Sequence, residues 1–117
     1  MNVELLKTFR ILYVEDEDSL RDEVSQNIAP FVKEVVCAVD GVDGFNKYSA
    51  DRNYFDIIIT DILMPRMNGL EMVDKIRETD VEIPIIYTTA FNDNEYMQKT
   101  IEQSIVSYII KPIDIEQ

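Results

Sequence analysis

Short apolar runs alternate with stretches of helical periodicity along the chain, and this alternation limits the fold more than any other feature. The apolar runs occupy residues 11–14, 35–39, 55–60, 85–88 and 108–110. Between them, apolar residues recur at the three- and four-residue spacing of amphipathic helices. This alternation is typical of βα units around a parallel sheet, and strands that are apolar on both faces need helices on both sides. We therefore predict an α/β fold with a doubly wound, five-stranded parallel sheet of flavodoxin-like order 2-1-3-4-5.

The domain organisation follows from the length of 117 residues, which suits a single domain. We predict one domain over residues 1–117, with residues 1–9 as an N-terminal extension. Residues 113–117 supply at most about one and a half helical turns, so we expect the fifth helix to be truncated or absent. Part of one sheet face would then lack cover. We expect one of three remedies: a helix beyond Gln117 (the favoured one), a homodimer, or packing of the N-terminal residues Val3, Leu6 and Phe9.

Charge and composition exclude several function classes. The chain carries 23 acidic and 11 basic residues, a net charge of −12, so we expect no direct binding to nucleic acid or to a membrane surface. It has no histidine and a single cysteine, which makes a zinc site or a catalytic triad improbable. Cys37 cannot form an internal disulfide, and we predict a buried strand thiol and a cytoplasmic protein. Carboxylate chemistry with a hard cation stays open.

Polar residues follow four of the predicted strands, and the carboxyl ends of parallel strands meet at one sheet edge. They are Glu15 and Asp16 after strand one, Asp61 after strand three, Thr89 after strand four and Lys111 after strand five. Each alone is typical of a cap, a turn or the surface. Together, however, three carboxylates repel one another unless a cation lies among them, and oxygen ligands suit Mg²⁺. The set therefore predicts a phosphoryl-transfer site with a nucleophilic carboxylate, a metal and a cationic side chain.

One segment resembles a known family motif, the phosphoacceptor sequence Asp-x-x-Met-Pro-x-Met-x-Gly of receiver domains. It agrees at every defined position: Asp61-Ile62-Leu63-Met64-Pro65-Arg66-Met67-Asn68-Gly69. The flanking pieces agree in order: Val14-Glu15-Asp16, Thr89-Ala90 and Tyr108-x-x-Lys111-Pro112. Over residues 9 to 114 the chain thus resembles receiver domains of two-component response regulators, of the chemotaxis-regulator type.

The resemblance implies a phosphorylation switch that catalyses its own phosphoryl transfer and is not otherwise an enzyme. Asp61 would be the phosphoacceptor and would take its phosphoryl group from a sensor histidine kinase or a phosphotransfer protein. Mg²⁺ would be ligated by Asp16, by Asp61 and by the backbone carbonyl of Leu63. Glu15, which stands where aspartate is usual, would act through a metal-bound water.

The resemblance also implies a switch near strand five. Lys111 would pair with Asp61 and then with the phosphoryl oxygens. Thr89 would shift inward to bond the phosphoryl group, and Tyr108 would follow and remodel the output surface. Tyr108 as a plain strand aromatic stays an alternative. In addition, residues 104–107 depart from the Gly-Ala that many receivers carry before this tyrosine.

Three other functions compete with this interpretation. A flavin or nucleotide binder of the same fold needs a glycine- or hydroxyl-rich loop after strand one, where this chain has four acids at 15–18. A phosphatase of the phosphoaspartate type needs a second aspartate two residues beyond the nucleophile, and that position is Leu63. A degenerate receiver that serves only as an interaction module is disfavoured because every catalytic position is filled.

Overall fold

A computed structural model of the chain describes the backbone of residues 3–89 and 106–110 and the side chains of residues 4–88. The elements are α1 (Val3–Leu6), β1 (Arg10–Val14), α2 (Asp18–Ile28), a 3-10 turn (Ala29–Phe31), β2 (Glu34–Ala38), α3 (Gly41–Ala50), β3 (Ile57–Asp61), α4 (Gly69–Arg77), β4 (Ile85–Thr89) and β5 (Val106–Ile110). Within these described ranges, no helix has the length and apolar character needed to cross a membrane.

The strands form one parallel sheet, which confirms the prediction of a parallel α/β fold. β1 lies between β2 and β3, β4 follows β3, and the backbone of β5 lies beside β4, so the order is β2-β1-β3-β4-β5. The prediction of a truncated fifth helix concerns residues after 110, which lie outside the described residues. Because all strands run in one direction, β1, β3 and β4 end at the same edge of the sheet.

Alternate residues of each strand face two separate apolar layers. Leu12 and Val14 of β1 belong to the layer that contains buried residues of α3 and α4. Ile11 and Tyr13 belong to the layer that α2 covers. Helices therefore cover both faces of the sheet. Leu6 of α1 also packs against the α2 layer. The N-terminal residues therefore cover part of this sheet face, which is one of the three predicted remedies.

Two helices, α3 and α4, begin at residues whose side chains cap them. Asn68 starts α4 with a capping box, in which its side chain accepts from the Glu71 amide and the Glu71 side chain accepts from the Asn68 amide. The side chain of Asp40 caps α3 by accepting from the Asp43 amide at 2.8 Å. These caps fix where the loops after β2 and β3 enter the helices.

Two local predictions need correction. β3 begins at Ile57 rather than at residue 55, because Asp56 lies in a bend that Arg10 holds: the Asp56 amide donates to the Arg10 carbonyl at 2.8 Å, and the Asp56 carboxylate accepts from the Arg10 amide at 2.8 Å. Cys37 is only half-buried instead of buried, because it lies on β2, the outer strand at one end of the sheet.

Candidate functional site

Three carboxylates meet where β1 and β3 end. Glu15, Asp16 and Asp61 each place one carboxylate oxygen within 4.8 Å of the others. Glu15 and Asp61 are buried, with 1% and 7% of their surface exposed, whereas Asp16 is exposed. This is the group that the strand-end positions predicted. Two buried carboxylates and a third at the surface form a strongly negative cluster.

Glu15 is held in place by contacts from three directions. Its amide donates to the Ala38 carbonyl at 3.0 Å, so β2 extends its pairing to this residue. Its backbone carbonyl accepts from Nη1 of Arg21 at 2.9 Å, and its carboxylate accepts from the Glu17 amide at 3.1 Å. Arg21 also pairs with Asp18 at 2.5 Å. The guanidinium thus connects the first turns of α2 to the end of β1 and brings positive charge close to the cluster.

Asp61 is fixed by its own chain neighbours and by the start of α4. Its carboxylate accepts from the Ile62 amide at 2.9 Å. The Gly69 amide donates to the Ile62 carbonyl at 2.8 Å, which brings the first residue of α4 against the end of β3. A β-carbon on Gly69 would lie 2.1 Å from the Asp61 carbonyl oxygen. The motif glycine is therefore required by close packing, and its φ is not positive.

Tyr13 lies in the α2 layer close to the carboxylates. It is fully buried, and its hydroxyl has no hydrogen-bond partner among the residues that the structure describes. Burial raises the pKa of Tyr13, and the negative charges of Glu15 and Asp61 raise it further. The phenol is therefore neutral at physiological pH and places a buried polar group near the acidic pocket.

The other predicted site residues are located by backbone alone or lie outside the description. Thr88 is the strand partner of Asp61, so Thr89 lies one residue farther toward the same edge. Tyr108 of β5 pairs with Tyr87 of β4. The side chains of Thr89 and Tyr108, and all of Lys111, lie outside the described residues. Leu63 lies two residues after Asp61, and its side chain is 44% exposed.

The residues present fit a hard divalent cation. The donors are carboxylate oxygens, which Mg²⁺ and Ca²⁺ prefer to the nitrogen and sulfur ligands of zinc. Two of the three carboxylates are buried, and buried like charges are unfavourable unless a cation or a proton compensates them. The exposed Asp16 leaves the pocket open to a partly hydrated ion.

Sequence reasoning missed three side chains that shape this site. Arg21 lies in an amphipathic helix and Tyr13 in an apolar strand, and the neighbouring sequence gives no sign that either side chain lies near the carboxylates. Arg66 occupies an undefined position of the motif, and its partner Asp40 lies 26 residues away. The only available signal was the Asp40-Gly41 pair before a helix, which indicates a cap and not a long-range contact.

Comparisons with known proteins agree with this geometry. A family model described as "Response regulator receiver domain" matches residues 11–117. The chain is 34% identical over 107 residues to the chemotaxis protein CheY of Treponema pallidum, covering 91% of this chain and 74% of that protein. It is 37% identical over 108 residues to the response regulator ArlR of Staphylococcus aureus, covering 92% of this chain but only 48% of that protein.

A solved structure agrees as well. The chemotaxis protein CheY4 of Vibrio cholerae superposes with a TM-score of 0.83 at 31% identity, covering 93% of this chain and 91% of that one. The shared architecture therefore extends over nearly all of both chains.

Proposed function

The chain belongs to the response regulator receiver domain family, and from that premise we propose that Asp61 accepts a phosphoryl group from a histidine kinase in a Mg²⁺-dependent reaction. A phosphoacceptor role in two-component signalling is the role of the family. The observation that supports Asp61 as the acceptor is its position at the end of β3, within 4.8 Å of Glu15 and Asp16.

Phosphoryl transfer to Asp61 needs a carboxylate that is fixed and accessible. A carboxylate oxygen of Asp61 attacks the phosphorus of a phosphohistidine on the kinase or on a phosphotransfer protein. The new O–P bond forms as the N–P bond breaks, and the histidine nitrogen leaves with the electron pair. The Ile62 amide, 2.9 Å from the Asp61 carboxylate, limits its rotation and so favours one direction of attack.

The metal would be held by residues at the carboxyl ends of two neighbouring strands, β1 and β3. Asp16, Asp61 and the backbone carbonyl of Leu63 would ligate Mg²⁺ directly, and Glu15 would hold it through a water. When bound, Mg²⁺ supplies positive charge that compensates the carboxylates and the phosphoryl oxygens. Glu15, buried and held by the Glu17 amide, acts as a fixed acceptor toward that water.

The remaining assignments complete the proposed switch. Lys111 neutralises the phosphoryl oxygens, while Thr89 and Tyr108 transmit the change to the surface near strand five. The domain comprises residues 1–117 with an N-terminal extension at 1–9, and its sheet has five strands. The chain works in the cytoplasm without direct contact to nucleic acid or membrane.

Labelling with a small phosphodonor tests the acceptor. With acetyl phosphate and Mg²⁺, the chain should gain one phosphoryl group that is labile to base. Asp61→Asn, which is nearly isosteric, should remain folded and unlabelled. The exposed Asp22 of α2 provides the matched control, since Asp22→Asn removes one carboxylate elsewhere and should label normally. Normal labelling of Asp61→Asn would refute the assignment, and a folded wild type that never labels would favour the degenerate receiver.

Thermal melting tests the metal separately. Millimolar Mg²⁺ should raise the melting temperature because it binds the folded state only. Asp16→Asn should lose most of this gain, and Asp22→Asn should keep it. Equal gains in both variants would mean that Mg²⁺ only screens the net charge of −12.

A further inference from the structure

The loop between β3 and α4, residues 62–68, contains one residue in an unfavourable backbone conformation. Arg66 has a φ of 67°, and it is the only non-glycine residue with positive φ in the part of the chain that the structure describes. Side chains disfavour this left-handed region because the β-carbon approaches the following carbonyl oxygen. Such a conformation persists only where surrounding contacts enforce it.

Two contacts hold residue 66 in this conformation. The Met67 amide donates to the Pro65 carbonyl at 2.8 Å across residue 66, and the Arg66 side chain forms an ion pair with the cap of a different helix. Nε of Arg66 donates to Oδ2 of Asp40 at 2.6 Å, and Nη2 lies 2.5 Å from the same oxygen. Asp40 is 4% exposed, and its other oxygen accepts from the Asp43 amide. Burial alone would raise the pKa of Asp40, but the Asp43 amide and the Arg66 guanidinium together lower it. The carboxylate is therefore charged and rigidly held when Arg66 meets it.

A backbone contact beside the ion pair brings the loop against α3. The Gly41 amide donates to the Met67 carbonyl at 3.0 Å, and a β-carbon on Gly41 would lie 2.2 Å from that oxygen. At its base, the loop is bonded through the Gly69 amide to the Ile62 carbonyl. Residue 63 thus lies in a short segment that is fixed at the base by α4 and at the tip by α3.

We propose that Arg66, held by Asp40, is a positioning residue that keeps the 62–68 loop in the path required for cation binding beside Asp61. The inference rests on the proposed function, because it concerns the same cation. Arg66 does not touch the ion. Without the ion pair, residue 66 leaves the left-handed region, and the carbonyl of residue 63 is no longer held in one direction. Because Arg66 is 62% exposed, the effect should be local rather than a loss of global stability.

Electrostatics and loop positioning predict opposite results for Arg66→Ala. The variant removes a positive charge near an acidic pocket, so charge alone predicts tighter Mg²⁺ binding. Loss of the positioning contact predicts weaker binding, by roughly fivefold, because alanine disfavours the left-handed conformation. Arg66→Gly removes the same charge but adopts positive φ without strain. We therefore expect Arg66→Gly to bind Mg²⁺ close to the wild-type affinity or more tightly.

Calorimetric titration of Mg²⁺ into the full chain measures these affinities. Arg52→Ala provides the matched control, since Arg52 is an exposed arginine just beyond α3, and its loss should leave the affinity within about twofold. Circular dichroism melts verify that each variant is folded. Arg66→Ala binding as tightly as Arg52→Ala, or Arg66→Gly binding as weakly as Arg66→Ala, would overturn the positioning role. A wild type that does not bind Mg²⁺ would instead overturn the proposed function and the inference with it.

Discussion

Replacing Gly69 with alanine should both destabilise the fold and disturb the phosphoacceptor. The new β-carbon would lie 2.1 Å from the Asp61 carbonyl oxygen and 3.2 Å from the Thr60 hydroxyl, whereas ordinary contacts begin at 3.4 Å. The carbonyl is backbone and cannot rotate away, so α4 and the end of β3 must separate by about 1 Å. Inserting a methyl group into a packed contact costs roughly 1–3 kcal/mol or more, against a gain of at most about 1 kcal/mol from helix propensity.

We therefore expect Gly69→Ala to lower the free energy of unfolding by about 2 kcal/mol, or the melting temperature by roughly 5–10 °C. Because the shift acts on the backbone of Asp61, labelling by acetyl phosphate should also become slower. Urea denaturation followed by circular dichroism measures the stability, and the labelling assay above measures the rate.

Gly44→Ala is the matched control. Its β-carbon would meet Sδ of Met72 at 2.7 Å and a methyl of Val14 at 2.9 Å, which are side-chain atoms and not the backbone of Asp61. The flexible Met72 can move, so the loss should stay near 1 kcal/mol and the labelling rate should not change. If Gly69→Ala were as stable and as quickly labelled as the wild type, the close-packing explanation of this motif glycine would be wrong.

Three further variants test the surroundings of the site and of the core. Burial, followed by the hydrogen bond to Asp80, raises the pKa of Tyr48 from 10.0 to about 12. The stabilisation that the neutral Tyr48 phenol contributes is therefore fully present below pH 10 and is lost as the pH rises toward 12. Melting temperatures measured across this pH range should fall less steeply for Tyr48→Phe than for the wild type. Tyr13→Phe removes a hydroxyl that has no hydrogen-bond partner among the described residues, so the free energy of unfolding should stay the same or rise by about 1 kcal/mol. A clearly lower value would indicate that the hydroxyl bonds a buried water. Arg21→Lys keeps the charge but loses the guanidinium group that donates to both Asp18 and the Glu15 carbonyl. Urea denaturation should therefore show a free energy of unfolding lower by about 1–2 kcal/mol, and an unchanged value would mean that this pair of contacts does not stabilise the fold.

The sequence predicted those features that local pattern and sheet geometry determine together. Apolar runs between amphipathic stretches indicated a parallel sheet, and the meeting of strand ends at one sheet edge predicted that Glu15, Asp16 and Asp61 lie close together. The predicted start of β3 was less accurate, because the bend at Asp56 depends on Arg10, a partner 46 residues away.

Contacts between distant loops were not predictable from the sequence. The Asp40–Arg66 pair joins two loops whose approach depends on how α3 and α4 pack on the sheet. The packing of Leu6 against the α2 layer likewise depends on which surface the other elements leave uncovered. Periodicity shows which face of a helix or strand is apolar, but it does not show which other element that face will pack against.

The sparse glycines have a consequence for the unfolded chain. Three of 117 residues are glycine, whereas average usage of about 7% would give roughly eight. A glycine loses more conformational entropy on folding than alanine, a difference of roughly 0.5–1 kcal/mol, so the unfolded ensemble of this chain is comparatively restricted. At all three glycines a β-carbon would lie closer than 3.0 Å to a neighbouring atom, and among the residues that the structure describes the positive φ belongs to Arg66 instead. The chain therefore loses less backbone entropy when it folds. This smaller entropy cost offsets part of the electrostatic repulsion within a folded chain that carries a net charge of −12.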